Sequence, residues 1–335
     1  MKSMAKLKYY YGLKMRCYPS DQQKQLIKLN SDASRFIYNE MIAINQELFQ
    51  LRQVKIPVAI VQERIRQLEL RKKAKEMSNH YQFLEDRRID SLAKANAIQN
   101  YRKAWNTFSK VHTAGVPKFH RKGYRWSYQT NCQYPDQKFA LMTNGTIRFT
   151  DMKHVKVPKI GQLRVSGSQQ RLLNRHMEIR IGTVTLTKDT ANRFFLSMQL
   201  ASDQPFVKFS KPKGGPIGID LNTENFLTDS QGESIPNPRY YRIIQGRLAE
   251  AQRTLSRRQL RAKKELRSLK GSKNYQKQRL LVAKLHAKAM DQRHNFLQQH
   301  STTLIKNHDL VVAEELRSKN MLKNHALALS ISDVG

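Results

Sequence analysis

The chain is poor in cysteine, in acid and in long apolar runs, and each shortage excludes something. Only Cys17 and Cys132 occur in 335 residues, far apart and in no Cys-x-x-Cys pair. A disulfide scaffold and a four-cysteine zinc site are both excluded within this chain. Two unpaired thiols fit a reducing cytoplasm. No apolar stretch reaches transmembrane length, and no signal peptide opens the chain, so the expected setting is cytoplasmic, with no membrane partner. The acid shortage is the largest: 26 Asp+Glu stand against 61 Lys+Arg, a formal net charge of +35. Self-repulsion on this scale disfavours a compact state unless a polyanion neutralises it, and nucleic acid is the obvious polyanion. The apolar share, 39%, still suffices for packed cores.

What is present is periodic. Residues 5–18 alternate like a strand, and Pro19-Ser20 ends it. Ser20 with Gln23 forms a capping box. Leu26, Leu29, Ala33, Phe36, Ile37, Met41, Ile44, Leu48 and Leu51 then recur at helical spacing over about eight turns. A second helix is predicted after Pro57, and a third from about Arg88 to Lys110. Phe36, Trp105 and Phe108 read as core positions. From Pro117 the pattern changes. Lys118-Phe119-His120-Arg121-Lys122-Gly123-Tyr124-Arg125-Trp126 interleaves cations with aromatics, as backbone phosphates plus base stacking require. Short strands follow at 139–142 and 146–149, around an Asn144-Gly145 hairpin signal. More are predicted at 154–157, 162–165, 178–186 and 193–201. With strand 5–18 these suggest a small β-barrel.

Residues 208–216 read as a linker. Beyond it come strands 217–221 and near 225–229, then a turn at Ser230-Gln231-Gly232. A long helical region starts after Pro238, and Gly271-Ser272 breaks it into a hairpin. Residues 251–290 hold thirteen Lys/Arg and one acid. That exceeds what solubility needs and suits a surface that tracks phosphates. Leu281, Leu285, Met290 and Phe296 are the expected packed side. Residues 309–314 return to a strand.

Two carboxylates stand at strand ends, Asp220 after Ile217-Gly218-Ile219 and Glu314 after Leu310-Val311-Val312-Ala313. Two acids delivered by one sheet can hold Mg²⁺ or Mn²⁺ against a phosphate. Each motif by itself is weak: Gly-Ile-Asp occurs by chance, and Glu314-Glu315 also suits a helix start.

In family order, the motifs resemble those of the TnpB (OrfB) proteins of insertion sequences, RNA-guided nucleases. Ser34-Arg35-Phe36-Ile37-Tyr38-Asn39 resembles the N-terminal helical signature. Val155-Lys156-Val157-Pro158-Lys159-Ile160-Gly161 resembles the barrel element. Gly218-Ile219-Asp220 and Thr228-Asp229-Ser230-Gln231-Gly232 resemble the first RuvC motif. Asn237-Pro238-Arg239-Tyr240, Leu255-Ser256-Arg257-Arg258 and Gly271-Ser272-Lys273-Asn274 resemble the basic hairpin. Val312-Ala313-Glu314-Glu315-Leu316, followed by Asn320-Met321-Leu322-Lys323-Asn324, resembles the second RuvC motif.

The resemblance implies an α+β multidomain protein. Residues 1–19 would give the first strand of a β-barrel wedge domain, completed by 116–207. Residues 20–115 would be a helical, helix-turn-helix-like recognition domain, and 208–215 a linker. Residues 216–335 would be part of a RuvC-like (ribonuclease-H-like) nuclease domain with its basic hairpin at 239–300. It implies a guide RNA from the element's own end, target DNA as partner, and association with transposition and the nucleoid. Asp220 and Glu314 are then the catalytic residues and the ligands of Mg²⁺ or Mn²⁺. Glu315 points to the other side if the strand persists. Nucleic-acid contacts are expected from Arg35, Lys118, Arg121, Lys122 and Arg125, and from the hairpin's Arg253, Arg257, Arg258, Arg261, Lys263, Lys264 and Lys273.

Two departures stand out. Asn222 occupies a position where the family usually has Gly, which its tolerance of positive φ would explain. The chain also stops at Gly335, where the family continues into a zinc-binding segment and a third catalytic aspartate, and Asp333 is no substitute. A truncated, cleavage-impaired chain is therefore expected. The alternatives are a nuclease-dead RNA-guided DNA-binding regulator and a non-functional insertion-sequence remnant.

Overall fold

The first strand shows how the pattern becomes structure. Along β1 (Tyr9–Cys17) Leu13, Met15 and Cys17 are buried, while Gly12 and Lys14, which alternate with them, are exposed. The computed structural model describes residues 2–55, 58–136, 138–175, 177–207, 214–222 and 224–315. It contains two compact units, Met1–Val207 and Lys208–Gly335. Residues 208–213 of the expected linker and everything from Leu316 on, including Asn320–Asn324 and Asp333, lie outside the described residues.

In the first unit, β1 leads into α1 (Asp21–Arg52) through the capping box. The Ser20 N–H donates to Gln23 Oε1 (3.0 Å), and the Gln23 N–H donates to Ser20 Oγ (3.3 Å). Two of the helix's orphan donors are thus satisfied. Gln23 Nε2 also donates to the Gln162 carbonyl (2.7 Å), which ties the helix start to the sheet. α2 (Ala59–Arg71), α3 (Ala74–His80) and α4 (Ser91–Lys110) complete the helical layer. Ala33, Ile37, Met41, Ile44 and Leu48 of α1 pack with Leu68, Met77, Ala97, Ile98 and Tyr101. Trp105 and Phe108 correct the expectation. They stack edge-to-face on each other, both 38% exposed, because α4 has run past its partners by that turn.

The remaining strands are β2 (Trp126–Asn131), β3 (Arg148–Asp151), β4 (His154–Val157) and β5 (Gly161–Ser166). After the short α5 (Gln170–Leu173) come β6 (Arg180–Lys188) and β7 (Phe194–Ser202). All seven strands form one antiparallel, curled sheet in the order β2-β6-β7-β1-β5-β4-β3. The expected barrel is thus a sheet with two edges. The chain leaving β2 meets the chain entering β3 at one backbone bond, Thr146 N–H to Gln133 C=O (2.8 Å). Its core is aliphatic: Leu13, Met15, Ile147, Val155, Leu163, Ile181, Leu196 and Leu200 are buried together.

The Asn144-Gly145 hairpin does not form, and 139–142 is not a strand. The Asn144 side chain instead organises a loop, accepting from Leu141 N–H (3.0 Å) and donating to the Phe139 carbonyl (3.0 Å). A Cβ at Gly145 would overlap the Cys132 sulfur, so close approach, not a turn dihedral, requires the glycine there.

A polar seam joins helices to sheet within this unit. Asp90 caps α4 by accepting from Leu92 N–H (2.9 Å), and its other oxygen accepts from Thr130 Oγ1 (2.5 Å). Asn30 Oδ1 accepts from Asp90 N–H (2.8 Å), and Ser31 Oγ from Ser127 N–H (2.9 Å). All four side chains are buried and satisfied, so the seam fixes one register of helix on sheet.

The second unit opens with β8 (Ile217–Asp220), β9 (Asn225–Asp229) and β10 (Ser234–Pro236). Next come the long α6 (Tyr240–Lys264) and α7 (Lys273–Asn307), and then β11 (Val311–Ala313). The sheet order is β10-β9-β8-β11, antiparallel except for the parallel pair β8–β11. The helical pair is the crossover that a parallel neighbour requires. α6 and α7 pack through Ile244, Leu248, Ala251, Leu285 and Ala289, with Tyr241 and Val282 alongside. The expected packed side was displaced: Leu285 is buried, but Leu281 and Met290 are 44% and 60% exposed. The inward stripe runs through 282, 285 and 289. Phe296 does pack, edge-to-face on Phe226 of β9 (4.9 Å).

Candidate nucleic-acid interface and carboxylate pair

The parallel ladder pairs Val311 with Ile217, Val312 with Gly218 and Ala313 with Ile219. Continued by one residue, this register sets Glu314 beside Asp220 at the C-terminal ends of the neighbouring strands β8 and β11. Both acids and Glu315 are exposed. The β8–β9 turn that follows Asp220 is held by Asn222, and not through positive φ as expected. Its Oδ1 accepts from Asn225 N–H (2.8 Å) and its Nδ2 donates to Thr228 Oγ1 (3.3 Å), side-chain bonds that glycine could not make. Exposed carboxylate oxygens suit a hard divalent cation. Among the described residues, no group of three or more His, Cys, Asp or Glu is placed to hold a metal ion. Cys17 and Cys132 are both buried, and burial pushes the Cys17 thiol up to about 12. Burial also raises the Cys132 thiol, so both sites disfavour the thiolate form that a nucleophile or ligand needs.

In the first unit, Lys118, Arg121, Lys122 and Arg125 lie exposed on an irregular segment between α4 and β2. Asn39 of α1 pins that segment. Its Oδ1 accepts from His120 N–H (2.8 Å) and its Nδ2 donates to the His120 carbonyl (3.0 Å). The His120 ring stacks flat on Tyr38, with centroids 4.1 Å apart and planes 5° apart. Burial, and then the charge of Arg35, hold the imidazole pKa below its usual value. Asp32 stands among three cations, Lys28 (3.4 Å), Lys122 (3.6 Å) and Arg35 (3.8 Å). The structure therefore brings Arg35 and Lys122 together, which sequence distance concealed.

In the second unit, Arg253, Arg257, Lys263, Lys264 and Lys273 are exposed along the hairpin. Arg258 and Arg261 are partly committed to structure. Arg258 Nη1 donates to the Asn274 carbonyl (2.7 Å), linking α6 to the start of α7, and Arg261 pairs with Glu265 (2.8 Å). Arg258, Arg261, Arg267 and Lys273 line an open cleft of about 810 Å³ at the hairpin tip.

Sequence reasoning missed the outer face of the large sheet. Lys14, Arg16 and Arg193 lie over the Phe195 ring at 4.8, 5.1 and 5.5 Å, and Arg16 and Arg164 over Tyr18 at 6.0 and 5.6 Å. Cations on aromatic faces form a surface suited to nucleic acid. The period-2 run Lys14, Arg16, Tyr18 was the available signal.

Among the described residues, no helix is long and apolar enough to cross a membrane. Family comparison matches residues 4–53 to a helix-turn-helix domain and residues 208–325 to the family OrfB_IS605, described as "Probable transposase". Within 4–53 the structure holds a 3-10 turn at Met4–Lys6, β1 and one unbroken 32-residue α-helix, not two α-helices around a turn. A "Putative RNA-guided DNA endonuclease" of Streptomyces pristinaespiralis is 30% identical over 96% of this chain and 71% of its own length. InsQ of Escherichia coli K12, also a "Putative RNA-guided DNA endonuclease", is 24% identical over 97% of this chain and 70% of its own. Among solved structures, one in the Cas12f1–sgRNA–target DNA complex superposes with a TM-score of 0.51 at 10% identity, covering 97% of this chain and 86% of that one. That similarity shows the fold, an α+β architecture of the same kind, and the sequence relationship shows the kinship: the chain belongs to the OrfB (TnpB) family of IS605-type insertion-sequence proteins.

Proposed function

We propose that the chain is a transposon-encoded, RNA-guided DNA-binding protein whose Asp220 and Glu314 contribute to a metal-dependent phosphodiesterase centre. The observation that supports this reading is the β8–β11 register, whose continuation by one residue would set the two acids side by side in a unit whose helical hairpin is strongly basic. In this reading the first unit supplies the recognition and wedge domains, the second the RuvC-like domain, and the protein works in the cytoplasm at the nucleoid. Guide RNA pairing reads the target, and the basic surfaces hold the heteroduplex by shape and backbone. Asp220 and Glu314 would hold Mg²⁺ or Mn²⁺, which when bound lowers the pKa of an attacking water and stabilises the leaving oxygen. Among the described residues no third acid joins this pair, and in our reading guide-directed binding exceeds cleavage. A nuclease-dead regulator is the limit of this behaviour.

The test is expression of the whole chain with its flanking element, sequencing of the RNA that co-purifies, and a gel assay with matched DNA and Mg²⁺ or Mn²⁺. One discrete RNA, guide-dependent DNA binding and weak nicking abolished by Asp220→Asn or Glu314→Gln are expected. Heterogeneous RNA without guide-dependent binding would refute the reading and favour a remnant. Efficient cutting would refute the impairment alone, and cutting by Asp220→Asn would refute the assignment of the acids.

A further inference from the structure

A cleft of about 180 Å³ lies in the first unit, where α1, α4, β2 and the basic segment meet. Ser34, Arg35, Tyr38, His120 and Tyr128 are among the side chains that line it. Three polar atoms there are buried without a hydrogen-bond partner: Ser34 Oγ, Arg35 Nε and Tyr128 OH. Buried polar groups are nearly always satisfied, so three orphans on residues that line one cleft point to something they are built to hold. Tyr128 is only 2% exposed, and burial holds its hydroxyl protonated, as a donor.

The chemistry of the lining narrows the ligand. The Arg35 guanidinium is permanently charged, and its contact with Asp32, at 3.8 Å, lies beyond hydrogen-bond distance. No carboxylate lines the cleft. Of the two amides in the lining, Asn100 Nδ2 donates to Gln129 Oε1 at 2.9 Å, which ties them to each other. Three donors, one of them cationic, with the local charge of Lys28, Arg35 and Lys122 exceeding that of Asp32, describe an anion site.

We propose that this cleft binds one phosphate group of the nucleic-acid backbone, with Arg35 Nε, Ser34 Oγ and Tyr128 OH as its donors. The proposal rests on the nucleic-acid-binding reading above and adds the site and its ligand. It assigns Arg35 a fixed, directional contact and gives Ser34 and Tyr128 a binding role.

The test measures affinity of the whole chain for a labelled single-stranded RNA and a labelled DNA duplex of equal length, over a range of salt concentrations. Arg35→Gln should weaken binding about tenfold and lower the slope of log affinity against log salt by about one, the signature of one lost phosphate contact. The double variant Ser34→Ala/Tyr128→Phe should weaken binding about tenfold with the slope unchanged, since no charge is removed. Loss confined to RNA would place the phosphate in the guide, and loss confined to DNA in the target; either supports the site. Wild-type affinity and slope in both variants, at wild-type melting temperature, would overturn it and leave the cleft to bound water. Should Arg35→Gln fail to fold, the hydroxyl double variant decides. A wild-type chain that binds neither probe would overturn the nucleic-acid reading itself.

Discussion

The helical layer of the first unit and the hairpin of the second both display cations, yet they rest on cores of different depth. The helical layer, built on α1 with three shorter helices, buries fourteen residues in one cluster, including Ile37, Met41, Ile44, Leu48, Leu68 and Met77. The hairpin helices run 25 and 35 residues, and among the described residues only five join their cluster, two of them alanine. Ile243, Leu260 and Met290 are more than half exposed along the hairpin. Helix stability comes mainly from a packed apolar face. The first unit therefore places its cations by packing and hydrogen bonds, as Asn39 does for the basic segment. The hairpin carries its cations on a shallow two-helix seam, which suits following a backbone better than reading a shape.

Core truncation gives the largest contrast. Ile37 is 1% exposed and Leu285 8%. Ile37→Ala should cost about 4 kcal/mol, and Leu285→Ala about 2 kcal/mol because its shallower site can relax or admit water. Denaturant unfolding of the whole chain, followed by probes in each unit, checks this. Equal losses would mean that the hairpin is as deeply cored as the helical layer.

Charge removal reverses the ranking. Changing Arg257, Lys263, Lys264 and Lys273 together to Gln should lower nucleic-acid affinity about 100-fold near 0.1 M salt and reduce the salt slope by about three. The melting temperature should hold, because all four side chains are exposed. A large fall in melting temperature with little change in slope would make these residues structural.

Local signals made much of this legible in the sequence. The Ser20–Gln23 box marked the start of α1, β4 lies where alternation put it, and strand-end positions located Asp220 and Glu314. What the sequence concealed was set by geometry. α6 does not run to Gly271-Ser272; it ends at Lys264. Leu266 takes φ +50° there, with Leu266 N–H to the Lys263 carbonyl (3.1 Å) and Arg267 N–H to the Ala262 carbonyl (2.8 Å). That is a Schellman ending with leucine where glycine is usual, so a strong helix former hid the stop. Gly271-Ser272 instead starts α7. A one-residue error in helical phase sufficed to misplace Leu281 and Met290. The orphan donors of the cleft could not be grouped in advance, because Tyr128 joins Ser34 and Arg35 only when β2 docks on α1.

The smallest effect is a test of how the first unit holds its basic segment. His120 is clamped by Asn39 through its backbone and stacked on Tyr38 through its ring. Burial and Arg35 both disfavour the imidazolium, so the pKa in the fold lies below the ordinary value of about 6.5. As pH falls, the unfolded chain takes up this proton first. Stability from this group is therefore complete above about 6.5 and is lost as pH falls through the lower folded pKa. His120→Phe keeps a ring for Tyr38 and cannot titrate. The drop in melting temperature between pH 7.5 and pH 5.5 should be smaller in His120→Phe than in the wild type, since the background titration is common to both. The same drop in both chains would show that the backbone clamp alone positions the segment and that the stacked, neutral imidazole contributes nothing to it.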